Sequence, residues 1–295
     1  MKKAVLIYNP KSGRQKATQR MPILRKLLAE AGYDVKPEPT QGPMDATRIA
    51  REHAEEHDID VAFAMGGDGT LREVSEGLLG SDIVLGPLPE GTANVLAFEL
   101  GLPRTSLKAA AAMKDAKPRT IDVGMANDVP FLMMASLGLE TAVMANQNAT
   151  LKRWFGPVGV AMNGLRRVFS YKYPPFELIL EDGSRESAYF FTVCNIPFFG
   201  GPFRIAPEAS TDDGMLDLVT FHGRGALKTL ALAGGVLFGS RHVKRRDVKI
   251  RRVRSLEVVQ TLNDGLQVDG DVLDVSNPVE IRVVNRALRV LSLRS

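Results

Sequence analysis

Three loops rich in glycine and polar residues follow apolar runs in the first third of the 295-residue chain. They span Asn9–Gly13, Gly66–Thr70 and Pro89–Asn94. Glycines let the backbone adopt positive φ and approach a ligand closely. A helix that begins near Thr70 would also direct its N–H groups and dipole at the second loop, which suits phosphate. Together the loops predict a phosphate-binding site.

Asp68 is the unusual member of the second loop, Gly-Gly-Asp-Gly-Thr. A carboxylate beside phosphates would repel them unless a cation lies between the two, so Asp68 predicts Mg²⁺, bound directly or through water. None of the loops ends in Gly-Lys-Ser/Thr, and neither GxGxxG nor GxSxG occurs in the chain. The sequence therefore excludes a Walker A loop, a dinucleotide fingerprint and a hydrolase nucleophile elbow.

Two acidic clusters lie in the second half of the chain. The segment Ala209–Met215 places Asp212 and Asp213 in a turn before an apolar run, where an aspartate and nearby carbonyls could hold a cation. A solvated turn is the alternative interpretation. The segment Val268–Asp271 ends an apolar run with two acids around a glycine, for which a hairpin turn is the plain alternative.

The first half of the chain alternates between apolar runs of strand length and helical patterns. The runs are Ala4–Tyr8, Val61–Met65 and Ile83–Leu85, and the helical patterns cover 15–31, 44–57, 71–79 and 94–100. Strands without polar alternation, separated by helices, predict a parallel sheet that is covered on both faces. Loops at the carboxyl ends of such strands meet in one crevice, which would bring the three glycine loops together.

The pattern changes near Thr120, where apolar runs begin to follow one another with turns between them. This half is predicted to be mostly antiparallel β, with helical pieces over about 151–170 and 225–239. We expect an α/β nucleotide-binding domain over 1–120 and a β-rich domain over 121–286, with a cleft between them. The last strand, about 287–295, is expected to return to the first domain.

Composition and cysteine content limit the class of protein. Apolar residues make up 44% and charged residues 24%, which are ordinary globular proportions. Cys194 is the single cysteine, which excludes a disulfide scaffold and a thiolate metal cluster. No targeting signal and no run typical of a spanning helix was found. We expect a cytoplasmic protein, with a peripheral position on the inner face of the membrane as an option.

The positive charge is concentrated in one run. Arg241–Arg254 holds eight lysines and arginines against one aspartate, whereas the whole chain carries only +4. The run is interpreted either as a patch that docks on anionic lipid headgroups or as an exposed strand with outward charges. Nucleic acid is disfavoured because no aromatic residues are interleaved with the charges. Apolar surface near the cleft is expected from 154–165 or from 196–203.

The ordered motifs resemble the diacylglycerol kinase catalytic-domain family, which includes bacterial lipid kinases and the sphingosine and ceramide kinases. The resemblance rests on the three loops, on Asp213-Gly-Met-Leu-Asp217 and on Asp269-Gly-Asp271. NAD kinases and phosphofructokinases carry a loop like the second one, but the Asn-Pro loop and the late acid-Gly-acid strand are more specific to lipid kinases. The resemblance implies a phosphofructokinase- or NAD-kinase-like α/β domain followed by a C-terminal antiparallel β-sandwich.

The resemblance also implies site residues. Those expected to line the ATP site are Asn9, Pro10, Lys11, Ser12, Gly13, Thr40, Gly66, Gly67, Asp68, Gly69, Thr70, Leu71, Arg72, Gly91, Thr92 and Asn94. Asp68 and Asp122 would belong to a catalytic Mg²⁺–water network. A second, structural Mg²⁺ would be held by the carbonyls of Ser210 and Met215 and by the side chain of Asp213.

Two positions depart from the family pattern. Asp271 falls where the family usually has a glutamate general base, and it is one methylene shorter. Because a displacement of about 1 Å can cost on the order of 10²-fold in rate, Asp269 is a competing candidate for the base. Val95 stands where many members have an aspartate, so an acid is missing after the third loop.

The function implied is transfer of the γ-phosphate of ATP to a lipid hydroxyl, with diacylglycerol giving phosphatidic acid as the first choice. Three alternatives remain open at this point. The first is a kinase that acts on ceramide, on a sphingoid base or on another lipid alcohol. The second is a kinase of a soluble substrate, similar to NAD kinase. The third is a non-catalytic module that binds a nucleotide or a lipid. The oligomeric state is also open, with a homodimer among the options.

Overall fold

The structure, a computed structural model, describes residues 1–10, 17–145, 164, 166–259, 265–273 and 275–294. Lys11, Ser12 and Gly13 of the first predicted loop lie outside the described residues. So do 154–163 and Leu165, which contain the first expected apolar group and much of the helix predicted over 151–170.

The first half is a parallel α/β unit, as the sequence predicts. Its elements are β1 (Lys2–Tyr8), α1 (Ala17–Glu30), β2 (Tyr33–Pro39), α2 (Asp45–Glu56), β3 (Val61–Gly66), α3 (Asp68–Leu78), β4 (Val84–Pro89), α4 (Val95–Glu99) and α5 (Ser106–Ala112). The four strands pair in parallel in the order β2-β1-β3-β4. Helix α5 was not predicted from the sequence.

The second half is mostly antiparallel β. Its elements are β5 (Lys117–Ala126), β6 (Val129–Phe131), β7 (Met134–Leu137), α6 (Leu139–Ala145), β8 (Phe176–Leu180), β9 (Arg185–Ala188), β10 (Phe190–Cys194), β11 (Phe198–Phe199), β12 (Phe203–Arg204), β13 (Leu216–Phe221), α7 (Ala226–Leu237), a 3₁₀ turn (Arg241–Lys244), β14 (Val248–Val253), β15 (Ser255–Val258), β16 (Leu266–Val268), β17 (Asp271–Leu273) and β18 (Val279–Ser292). Helix α6 and strands β11, β12 and β17 were not predicted.

Strand β18 joins the two halves into one ten-stranded sheet. It pairs in parallel with β4 at Arg289 and Val290, and in antiparallel fashion with β5 and β15. Its register shifts between Val284 and Leu288, so the strand is bulged as it passes from one half to the other. The last strand therefore fixes the position of the parallel α/β unit relative to the β-rich half.

A six-stranded antiparallel sheet, β14-β13-β10-β7-β16-β17, packs on the large sheet. Buried side chains from both sheets fill the space between them, among them Phe176, Phe191, Leu218 and Ile281. Such a packed pair of sheets is a β-sandwich, and this confirms the predicted fold class.

The outer face of the six-stranded sheet carries α7. A separate apolar cluster joins them, with Met134 and Phe221 from the sheet and Leu232 and Val236 from the helix. Among the described residues, no helix combines the length and the apolar character that crossing a bilayer would require.

Candidate active site

The second and third glycine loops touch each other backbone to backbone. A Cβ atom on Gly91 would lie 2.7 Å from the Cα of Gly67, so this contact requires glycine. The amide of Glu90 also donates to the carbonyl of Gly66 at 2.8 Å. The loops at the ends of β3 and β4 therefore form one continuous backbone surface.

Asn94 closes the third loop from within. It has a positive φ of 48°, its side-chain oxygen accepts from the amide of Gly91 at 2.9 Å, and its side-chain nitrogen donates to the carbonyl of Gly91 at 2.8 Å. Glu90, in the same loop, accepts from Arg20 of α1 at 2.5 Å and from Ser106 of α5. The loop is thus held by both neighbouring helices.

Asp68 opens helix α3, three residues earlier than the predicted helix start at Leu71. Burial raises the pKa of Asp68, whereas the backbone N–H groups of residues 94–96, at the start of α4, lower it. Its Oδ1 is buried and has no hydrogen-bond partner among the described residues. A buried carboxylate oxygen without a donor is expected to bind water or a cation.

The other expected ATP-site residues lie in varied surroundings. Asn9 and Pro10 follow β1 and are half-buried. The amide of Thr40 donates to the carbonyl of Tyr8 at 2.9 Å, and this bond joins the end of β2 to the end of β1. Gly69 and Thr70 are half-buried, and Thr92 is exposed. The Leu71 side chain is buried in the core, so only its backbone can face a nucleotide.

Asp271 faces the second glycine loop from the β-rich half. Its Oδ2 lies 3.0 Å from Nη2 of Arg72 in α3 and 3.9 Å from the position that a Cβ on Gly69 would take. The Asp271 side chain is 56% exposed, whereas that of Arg72 is only 8% exposed. A partly open carboxylate is therefore held against the glycine loop by a buried arginine.

Asp269 has a different environment, although only Gly270 separates it from Asp271. Its buried carboxylate accepts three backbone N–H groups, from Leu132 at 2.7 Å and from Met133 and Met134 at 2.9 Å each. Burial raises the pKa of Asp269 to about 6, and the three N–H groups lower it. With its oxygens engaged in this way, Asp269 is positioned to hold the turn, which favours Asp271 over Asp269 as the base.

A cavity of about 790 Å³ leads away from this turn, between the six-stranded sheet and α7. Asp68, Asp269 and Gly270 line one part of it. Apolar side chains form most of the remaining wall, among them Met134, Val143, Phe190, Phe199, Phe203, Phe221, Leu232 and Val236. Phe199 and Phe203 belong to the second apolar group expected from the sequence, whereas Phe198 instead packs edge-on against Phe98 of α4.

Comparison with known proteins identifies the family. Residues 3–126 match the diacylglycerol kinase catalytic domain, and residues 133–292 match the YegS C-terminal NAD kinase beta sandwich-like domain. The chain is 31% identical over 277 residues to a diacylglycerol kinase of Bacillus subtilis (strain 168), which covers 92% of this chain and 90% of that relative. The chain belongs to the diacylglycerol kinase family.

Further relatives agree with this membership. A diacylglycerol kinase of Staphylococcus saprophyticus is 28% identical over 278 residues, which cover 92% of this chain and 89% of the relative. A crystal structure of a diacylglycerol kinase from Bacillus anthracis str. Sterne superposes with a TM-score of 0.80 at 25% identity and covers 99% of this chain and 97% of that one. As a member of this family the chain is a lipid kinase that uses ATP, which sets aside the soluble-substrate and non-catalytic alternatives.

Asp122 is deeply buried in this family member. Its Oδ2 accepts from the amide of Gly214 and its Oδ1 from the amide of Arg286, each at 2.7 Å. Asp122 thus ties the turn before β13 to the bulge of β18. This placement favours a structural role, and the part of Asp122 in a Mg²⁺–water network stays a prediction.

The expected second Mg²⁺ site lies in the same turn. Asp213 accepts from the amide of Met215 at 3.0 Å through Oδ1 and from the guanidinium of Arg252 through Oδ2, and the Ser210 hydroxyl donates to Asp212 at 2.7 Å. A divalent ion bound at Oδ2 of Asp213 would compete with Arg252 for this oxygen. The second Mg²⁺ site stays a prediction.

The basic run divides into two parts in this lipid kinase. Lys249 and Arg251 of β14 flank the buried carboxylate of Glu186, and Arg252 pairs with Asp213. Arg241, Lys244 and Arg246 are exposed, and none of them pairs with a carboxylate in the part of the chain that the structure describes. The free positive charge therefore lies at the 3₁₀ turn rather than on the strand.

Sequence reasoning missed the polar residues inside the cavity, Glu140 of α6 and Gln267 of β16. Both lie in mostly apolar segments of the sequence, and a single polar residue in such a segment is usually interpreted as facing solvent. The available signal for Glu140 was its place at the start of an apolar helical segment after Gly138, where acids are enriched. No sequence signal distinguished Gln267 from an outward residue of a strand.

Proposed function

We propose that this lipid kinase phosphorylates diacylglycerol, with Asp271 as general base and with the acyl chains in the 790 Å³ cavity. The observation that carries the proposal is the course of the cavity. It runs from Asp68 and Gly270, beside the glycine loops, into an apolar interior that reaches α7. A soluble phosphate acceptor does not require an apolar cavity of this kind.

The size and lining of the cavity suit an acyl chain. Its volume falls within the range of roughly 300–1,000 Å³ that is typical of ligand pockets. Each methylene group moved from water into such a lining contributes about 0.8 kcal/mol. Relatives named diacylglycerol kinase support this choice of acceptor over other lipid alcohols.

The mechanism needs positioning and charge neutralisation more than covalent chemistry. The backbone N–H groups of Gly67, Gly69 and the start of α3 are placed to bind the phosphates of ATP. Asp271, across the cleft, would accept the proton of the lipid hydroxyl as it attacks the γ-phosphate. Arg72 acts as a positioning residue, because its buried guanidinium fixes the shorter acid at the cleft.

Asp68 fits the Mg²⁺ that this reaction requires. Its buried Oδ1 lacks a hydrogen-bond partner among the described residues, and carboxylate oxygen is a preferred ligand of Mg²⁺. When bound, Mg²⁺ would neutralise the charge that develops on the transferring phosphoryl group. Asp68 would hold it directly or through water.

We also assign a membrane-facing surface, the α7 surface, formed by Leu227, Leu237, Phe238, Val243 and the basic residues of the 3₁₀ turn. Leu227 is 80% exposed and Phe238 is 71% exposed, although both are apolar. Arg241, Lys244 and Arg246 follow directly along the chain. Apolar insertion combined with attraction to anionic headgroups is the usual basis of peripheral membrane binding.

The position of α7 also connects this surface to the cavity. Leu232 and Val236 line the cavity from the same helix whose Leu227 and Leu237 are exposed. A lipid that leaves the bilayer at the α7 surface would therefore have to cross only one helix to reach the cavity.

The function is tested with labelled ATP and a panel of lipids in mixed micelles, with products resolved by chromatography. We expect the label in phosphatidic acid when diacylglycerol is present. Transfer to ceramide or to a sphingoid base in preference to diacylglycerol would contradict the proposed acceptor. Transfer to NAD alone would contradict lipid phosphorylation.

The membrane surface is tested by sedimentation with vesicles that contain or lack phosphatidylglycerol. We expect binding that requires the anionic lipid, weakens with salt and falls after Phe238→Asp or after Arg241→Ala combined with Lys244→Ala. The control is Arg25→Ala combined with Lys26→Ala, on exposed positions of α1. Equal sedimentation with and without anionic lipid would contradict the assignment.

A further inference from the structure

The apolar cavity contains a polar cluster that the proposed mechanism does not use. Glu140 lies in the first turn of α6, Gln267 lies on β16, and both line the cavity. Ser136 of β7 stands between them, with its hydroxyl oxygen 3.0 Å from Oε2 of Glu140 and 2.8 Å from Oε1 of Gln267. We call these three residues the Glu140 cluster.

The strand geometry places the cluster beside the acid turn. Gln267 and Ser136 are paired residues of neighbouring strands. Because side chains alternate along a strand, Gln267 and Asp269 share the cavity face, whereas Val268 points into the sandwich core. Helix α6 packs on β16 and β17, and Cε of Met144 lies 4.0 Å from where a Cβ on Gly270 would be.

The cluster has hydrogen-bonding capacity to spare. The Ser136 hydroxyl has one proton and cannot donate to both neighbours at once, so one neighbour must be a donor to it. Among the described residues, no group pairs with Oε1 of Glu140 or with the side-chain nitrogen of Gln267. These atoms belong to residues that line the cavity, so a ligand there would find the amide nitrogen of Gln267 as a donor and Oε1 of Glu140 as an acceptor.

Burying an acid in an apolar wall costs folding free energy unless its polar atoms find hydrogen-bond partners. Burial raises the pKa of Glu140 to about 7, and the Ser136 hydroxyl lowers it. Near neutral pH the carboxyl therefore carries a proton in a substantial share of molecules. In that form Glu140 donates to the Ser136 hydroxyl, which donates its own proton to Oε1 of Gln267 and so leaves the side-chain nitrogen of Gln267 free to donate.

We infer that the side-chain nitrogen of Gln267, oriented by Ser136 and Glu140, donates to the carbonyl of the linkage that joins the acceptor's acyl chain to its backbone, and so selects lipid alcohols with such a linkage close to the hydroxyl. The inference rests on the proposed lipid phosphorylation. In a glycerolipid the nearest ester is attached to the carbon next to the one that bears the hydroxyl. A hydroxyl at Asp271 therefore places that ester a few ångströms into the cavity, on the side of the acid turn.

The source of the carbonyl is either an ester or an amide. Both present the same acceptor oxygen to the side-chain nitrogen of Gln267, and ether-linked lipids of equal chain length lack it. A site that merely accommodates chains would treat ester and ether lipids alike, since their apolar surface is nearly the same. A site with buried donors would discriminate against the ether, because those donors would be left unpaired.

The test measures kcat/KM for dioleoylglycerol, its ether-linked dioleyl counterpart and an N-oleoyl ceramide, in the same micelles. For the wild type we expect an ester-to-ether ratio of about 10 or more. Glu140→Leu and Gln267→Leu should bring this ratio close to 1 by lowering the ester value alone. Glu140→Gln, which keeps the shape and a donor, should retain most of the preference.

Glu177→Leu is the matched control, because Glu177 is exposed on β8 and its carboxylate pairs only with Arg185 among the described residues. It should leave the ratio unchanged. A wild-type ratio near 1 would overturn the inference while leaving lipid phosphorylation intact, and so would equal losses on both lipids in folded Glu140→Gln. The ceramide rate relative to the ester shows whether amide and ester are bound alike. Absence of transfer to every lipid would instead overturn the proposed function itself.

Discussion

Two turns built from glycine and aspartate face each other across the cleft, and they use their acids differently. In the turn after β3, Asp68 stands between glycines with one buried oxygen that has no partner among the described residues. In the turn between β16 and β17, Gly270 separates Asp269, which has three backbone donors, from Asp271, which has Arg72 as its only side-chain partner among the described residues.

The comparison shows that hydrogen-bond partners distinguish the acids better than their position in a motif does. An acid whose oxygens are satisfied by backbone N–H groups holds the chain in place. An acid with an unsatisfied or exposed oxygen remains available for a cation or a proton. On this basis we propose Asp68 and Asp271 as the reactive pair and Asp269 as a support for the turn.

The largest effect is expected from Asp68→Asn. The variant keeps the shape but removes the charge that would hold Mg²⁺, so turnover should fall by about 10³-fold, in line with the several kcal/mol that metal ions contribute. Steady-state kinetics at increasing Mg²⁺ concentration measures this. Full activity at saturating Mg²⁺ would show that Asp68 is not needed for the ion. Asp115→Asn, at an exposed position, is the control.

Asp269→Asn should act on stability. An amide cannot accept all three N–H groups and leaves at least one buried donor unpaired, at a cost of about 2 kcal/mol in the free energy of unfolding. Urea unfolding of the variant and of Asp115→Asn measures the difference. An Asp269→Asn protein as stable as the wild type would remove the distinction between the two acids of the turn.

Arg72→Lys tests whether Arg72 positions Asp271 or binds ATP. A lysine keeps the charge but loses the rigid fork that fixes Asp271. We expect kcat to fall by roughly 10-fold, the order of effect of small displacements near reacting atoms, and KM for ATP to stay the same. A raised KM for ATP with unchanged kcat would instead place Arg72 in the ATP site. Arg25→Lys, on the exposed face of α1, is the control.

Glu140→Gln should change how stability depends on pH. Because the pKa of Glu140 is raised to about 7, folding favours its protonated form, and the stability that this contributes is lost as pH rises from about 5 to 8. The pKa of Asp269 is also raised, to about 6, so its contribution to stability depends on pH in the same direction. Burial raises the pKa of the nearby Cys194 thiol to about 12, so this thiol stays protonated over the same range.

Glutamine does not titrate, so the variant should gain roughly 2–3 kcal/mol relative to the wild type between pH 5 and pH 8. Urea unfolding at both pH values, with Glu177→Gln as control, measures the gain. A constant difference between variant and wild type would show that Glu140 is ionised throughout this range.

The parts of this molecule that could be predicted from the sequence are those that depend on the backbone. Gly91 must be glycine because a Cβ atom there would collide with the backbone of Gly67, so the phosphate-binding side could be recognised as a sequence motif. The alternation of runs and helical patterns likewise predicted the parallel sheet and the change to antiparallel β, whereas the sandwich was implied by the family resemblance. The start of α3 at Asp68 differs from the predicted Leu71 because the loop itself supplies the first helical turn.

The acceptor side could not be predicted in the same way. Phe221 and Leu232 line a cavity, but as residue types they are indistinguishable from core residues. The partners of Asp269 lie more than 130 positions away in the chain, so only the fold could separate its role from that of Asp271. The same holds for Glu140, whose neighbour Gln267 comes from a distant strand.

The most direct test of the central claim is lipid phosphorylation by Asp271→Asn, measured with ATP affinity and thermal unfolding of the same preparation. The account predicts turnover at least 10²-fold below wild type, with ATP binding and unfolding temperature unchanged, because this side chain is exposed and contributes little to the fold. Wild-type turnover in Asp271→Asn would contradict the assignment of Asp271 as the base.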